Sequence, residues 1–104
     1  MSGRCGGVGD AKEATPEVQS IIDSLKDSVS SVVSGSKKAK LHPYKAVSYK
    51  TQVVAGTNYF IKVAIDDGNE YIHLRVHRSL GQNPVHKLAS HQEGHNPTSE
   101  ISYF

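Results

Sequence analysis

The chain has 104 residues, 37% of them hydrophobic and 21% charged, with a formal net charge of +2. That length fits one domain, residues 1–104, with a core that needs no metal or disulfide staple. The charge is too small to argue for nucleic acid or an acidic membrane surface. The single cysteine, Cys5, cannot close an internal disulfide, and no apolar run resembles a signal peptide or approaches the length of a membrane span. The expected compartment is the cytosol, where small domains rely on packing.

Residues 1–14 are Gly-rich with few apolar side chains, so they are expected to form a flexible arm. Thr15-Pro16-Glu17 then reads as a helix start. Thr15 can accept from free backbone N–H groups, Pro16 has no N–H to leave unpaired, and Glu17 complements the positive end of the helix dipole. Val18, Ile21, Ile22, Leu25, Val29, Val32 and Val33 fall on one face, with Gln19, Asp23, Lys26 and Asp27 opposite. The spacing predicts one amphipathic helix of about four to five turns. Its serines weaken the second half and Gly35 offers a stop.

Three strands follow. In Tyr44–Val54, the positions Val47, Tyr49, Thr51 and Val53 alternate with Ala46, Ser48, Lys50 and Gln52. Asn58–Ile65 alternates likewise, and Asp66-Asp67-Gly68-Asn69 is a turn by composition. The third strand sets Ile72, Leu74 and Val76 against Tyr71, His73, Arg75 and His77, one face for burial and one for water. After a break at Leu80-Gly81-Gln82-Asn83-Pro84, the polar segment 85–99 has no clear period, and Glu100–Phe104 is a short strand candidate. A helix with one apolar stripe and a one-faced sheet satisfy each other. The expected fold is α+β, one long helix packed across an antiparallel sheet of four or five strands.

The break between the first two strands is unusual. Hairpin tips normally carry polar residues, yet Val53, Val54 and Ala55 stand beside Gly56. Either the valines fold back into the core or they face water and invite a partner. Alternate turns of a meander lie at one end, so this tip and the one at Leu80–Asn83 share an edge of the sheet.

Little else suggests chemistry. His73 and His77 share a strand face about 13 Å apart, too far for one ion. Cys5 lies on a Gly-rich arm with no ordered base in view, and no phosphate loop, nucleophile elbow or carboxylate pair is present. An enzyme is not expected, nor a metal or other cofactor.

Gln52-Val53-Val54-Ala55-Gly56 matches the Gln-x-Val-x-Gly signature of cystatins, and Thr57-Asn58-Tyr59-Phe60-Ile61-Lys62-Val63 resembles the stefin branch. Cys5-Gly6-Gly7, Ala14-Thr15-Pro16-Glu17, Lys45-Ala46-Val47, His73-Leu74-Arg75-Val76 and Ser102-Tyr103-Phe104 extend the likeness over nearly the whole chain. The resemblance implies a cystatin-like fold and a reversible, tight, competitive inhibitor of papain-like cysteine proteases such as cathepsins. It also implies a wedge that enters the protease cleft, formed by the arm at Gly6, the hairpin Gln52–Gly56 and the turn beginning at Leu80 and Gly81. The family usually has Leu-Pro at that turn. Gly81 supplies neither a fixed φ nor an apolar ring, so less rigidity is expected there. The valine-bearing tip further implies a monomer able to form a dimer by exchanging strands. A non-inhibitory binding module on the same fold is the alternative reading.

Overall fold

The structure, a computed structural model, describes residues 11–33, 35, 40–41, 43–102 and 104. Cys5 and Gly6 lie outside the described residues. In chain order the elements are β1 (Lys12–Glu13), α1 (Pro16–Ser24), α2 (Lys26–Val32), β2 (Tyr44–Val54), β3 (Gly56–Ile65), β4 (Glu70–Arg78) and β5 (His86–His95). The strands form one antiparallel sheet in sequence order.

The helix starts as its residues dictate. Thr15 has extended backbone, and its Oγ1 accepts from the Val18 N–H at 3.2 Å. The expected single helix is interrupted at Leu25, however. Ser24 Oγ donates to the Ile21 carbonyl at 2.7 Å, the group that the Leu25 N–H would bond in a regular α-helix, and that N–H turns to the Ile22 carbonyl instead. The second helix ends at Val32, before the expected stop at Gly35, because Val33 is already extended.

The helices bury Val18, Ile21, Ile22, Leu25, Val29 and Val33 against Ile61, Val63 and Ile65 of β3 and Ile72, Leu74 and Val76 of β4. Each such side chain contributes roughly 1.5–3 kcal/mol when fully buried. Val32, expected on the stripe, lies half exposed beside it. Gln19, expected on the solvent face, is the tie to β2. Its amide donates to the Tyr44 carbonyl at 3.0 Å and its oxygen accepts from the Ala46 N–H at 2.8 Å. Tyr44 donates to the Ile22 carbonyl at 2.9 Å, and burial together with Asp23 pushes its phenol well above the ordinary range.

Three sequence expectations change in the sheet. A bulge between Ala46 and Ser48 breaks the alternation of β2, so Ala46 is buried while Val47 turns outward. The stretch expected to be free arm is tied down at its end, where Lys12 pairs with Tyr49 and Glu13 with Ser48. The polar segment 85–99 contains β5, whereas the strand expected at Glu100–Phe104 does not form among its described residues, 100–102 and 104.

That final segment instead covers the outer face of the sheet. Ile101 is buried, and the Phe104 ring meets Phe60 edge-on at 5.6 Å. Lys62 is buried there and donates from Nζ to the Pro97 and Ser99 carbonyls. His73, expected to face water, is fully buried, stacked on His95 with ring centroids 3.6 Å apart, and neither ring nitrogen has a hydrogen-bond partner among the described residues. Burial first, then His95 and Lys62, push the His73 imidazole down to about 4. His95 is held below its ordinary value by burial and by Lys62.

Candidate functional site

Two turns stand together at one end of the sheet. Thr57, at the first turn, is paired with Arg78, at the second, while the Asp66–Gly68 turn closes the opposite end. The hairpin β2–β3 is registered up to Val53–Thr57 and Val54–Gly56, which leaves Ala55 alone at the tip. Such a reversal needs backbone that only glycine takes easily, and Gly56 has φ +103°. A Cβ on Gly56 would also lie 2.2 Å from the Arg78 carbonyl oxygen, so the tip rests directly on the end of β4.

Beneath the tip, a row crosses the outer face of the sheet. Gln52 is opposite Asn58, Asn58 opposite His77, and His77 opposite Lys87. Asn58 Nδ2 donates to Gln52 Oε1 at 2.9 Å, and Gln52 is buried. The Gln of the five-residue signature thus ties β2 to β3 on that face. Val53, by contrast, is 75% exposed, and Val54 and Ala55 are exposed with it. The valines do not fold back into the core.

The second turn is closed at its neck. The Ser79 N–H donates to the Val85 carbonyl at 3.0 Å, and the Val85 N–H returns a bond to Ser79 Oγ at 2.8 Å. Beyond the neck, Leu80 is 73% exposed, and Val85, at the neck itself, is 60% exposed. Gly81 has φ +111° with no atom within 4 Å of where a Cβ would sit. Its glycine is required by backbone conformation alone.

Of the residues singled out in the sequence, Gln52, Val53, Val54, Ala55, Gly56, Leu80 and Gly81 therefore gather at one edge. Sequence reasoning missed Val85 and Ser79. The signal for Val85 was an apolar residue directly after Pro84 in a polar segment. Among the described residues no three His, Cys, Asp or Glu side chains gather as a metal site, and no helix is long and apolar enough to cross a membrane. An edge of aliphatic side chains with a glycine-backed reversal can bind a surface.

The Cystatin domain model matches residues 6–98. The chain is 46% identical to human cystatin-A over 100 residues, covering 95% of this chain and 97% of that one. It is 39% identical to cystatin-A of Felis catus over the same shares. Human cystatin-B is 40% identical over 101 residues, 96% of this chain and 98% of the relative. The chain belongs to the cystatin family, inhibitors of cysteine proteases, and it is not an enzyme. Its likeness to cystatins A and B places it in the stefin branch.

Proposed function

We propose that this stefin acts on papain-like proteases as a competitive plug, with the first turn (Val53 to Gly56) and the second turn (Leu80, Gly81, Val85) entering the cleft side by side. The observation that carries the reading is the apolar edge itself. A soluble protein that leaves Val53, Leu80 and Val85 more than half exposed on adjacent tips pays for it in the free state unless a partner covers them. Each is worth roughly 1–3 kcal/mol if fully buried, and nanomolar affinity needs about 12 kcal/mol net, so several contacts share the binding. A sheet that holds both turns before docking lowers the ordering cost.

The third part of the wedge would be the arm at Gly6. β1 is antiparallel to β2, so the chain enters Lys12 from the side of the Ala55 tip, which suits a role beside the first turn. We further propose that the chain is a cytosolic monomer of one domain that can exchange strands with a second copy. Opening the one-residue bend at Ala55 would let β3 run on from β2 and remake the same pairs between chains. Swapping consumes the hairpin, so a dimer isolated under reducing conditions is expected not to inhibit.

Titration of active-site-counted papain tests the main reading. One-to-one loss of activity that substrate competes away is expected. Absence of inhibition, or cleavage of the chain as an ordinary substrate, would overturn it.

A further inference from the structure

His77 sits on the outer face of β4, in the polar row beneath the first turn, and its Nε2 lies 2.9 Å from the Ala55 carbonyl oxygen. A carbonyl only accepts, so Nε2 carries the hydrogen in this bond. Ala55 is the tip residue, beyond the last ladder pair of the hairpin, and the bond to its carbonyl comes from a different strand. The same ring lies close under the neighbouring bend: a Cβ on Gly56 would be 3.0 Å from His77 Nε2. The peptide plane that turns the chain is thus pinned from β4 and not by the hairpin alone. The neighbouring Asn58–Gln52 bond fixes the strands just behind it.

We propose that His77 is the positioning residue of the first turn. By donating to the Ala55 carbonyl it holds the tip in the conformation that presents Val53, Val54 and Gly56, so less freedom is lost on docking. Alternation along β4 reads His77 as a solvated strand residue. Its effect passes through the Ala55 peptide. The proposal rests on the reading that this turn enters a protease cleft.

Three variants separate donor from bulk. His77→Phe keeps a ring and removes the donor, His77→Ala removes both, and His77→Gln places an amide N–H near the position of Nε2. A single partly exposed hydrogen bond predicts papain inhibition constants raised about 3- to 10-fold in His77→Phe and His77→Ala, with His77→Gln within about 2-fold of the native chain. In the free protein, amide exchange at Gly56 and Thr57 should quicken in His77→Phe and stay near native in His77→Gln, with thermal midpoints of these two close to the native value. Native exchange and affinity in His77→Phe would overturn the proposal. So would a His77→Gln variant as weak as His77→Phe, because the ring and not the donor would then matter. Val54→Asp is the companion control. If it leaves inhibition untouched, the docking reading fails, while the exchange measurements on free protein still decide the brace.

Discussion

The two turns at the binding edge reach the same place by different means. The first is a one-residue bend supported from below: Gly56 rests on the Arg78 carbonyl, His77 holds the Ala55 carbonyl, and Asn58 ties Gln52. The second is a longer excursion fastened at its neck by the reciprocal Ser79–Val85 bonds, with Leu80 exposed and Gly81 clear of other described residues beyond. Tightness in the first turn comes from neighbouring strands, and in the second from its own closing pair. A braced tip is sensitive to any added atom, whereas an open one tolerates change. Binding to a rigid cleft should therefore depend more on the first turn.

Adding one methyl group to each turn sharpens the contrast most. Gly56→Ala is expected to cost on the order of 2–4 kcal/mol, since it combines positive φ with an overlap on backbone that cannot move aside. Gly81→Ala meets no atom and should cost about 1 kcal/mol from its φ alone. Denaturant unfolding of both variants checks this. Equal costs would break the distinction between the turns.

Acid offers a way to loosen the platform that both turns share. His73 is buried neutral against His95 from β5 and Lys62 from β3, with its folded value near 4 and its ordinary value 6.5. A depressed histidine binds its proton more readily when unfolded, so the stability it leaves intact above pH 6.5 is lost as pH falls from there to about 4. At about 1.4 kcal/mol for each unit, the loss is on the order of 3 kcal/mol. His73→Gln, or another neutral replacement that folds, should flatten this part of the stability–pH curve. An unchanged slope would show that His73 does not titrate in that window.

A smaller effect is expected from stiffening the weaker turn. Inserting Pro between Leu80 and Gly81 removes conformers that docking must otherwise freeze, so dissociation from papain should slow by about 2- to 5-fold. Binding no tighter than native would mean that the Ser79–Val85 neck already holds the turn well enough.

How much of this was legible follows from where the information sits. The first turn was readable because its unusual feature, valines beside a turn glycine, is local in sequence, and the meander rule placed both tips at one end. The cap at Thr15 and the buried faces of β3 and β4 were local in the same way. What the sequence concealed depends on contacts made across long separations. Nothing near Lys62 says that the Pro97 and Ser99 carbonyls will cap it, and nothing near His73 says that His95 will stack on it, so strand alternation assigns both to water. The bulge after Ala46 shifts the period without any glycine to mark it. β5 lacks a clean alternation because its inner face offers little beyond Leu88. His77 is hidden for the same reason: its partner is a carbonyl 22 residues away.

The central claim is that the exposed valines of the first turn are held ready for a protease and not for the core. Measuring papain inhibition and thermal unfolding together for Val54→Asp tests it most directly. A carboxylate there is solvated in the free protein but buried without a partner in the complex. The account predicts an inhibition constant at least about 100-fold weaker with an unchanged melting midpoint. Native inhibition, or a lowered midpoint with binding retained, would contradict it.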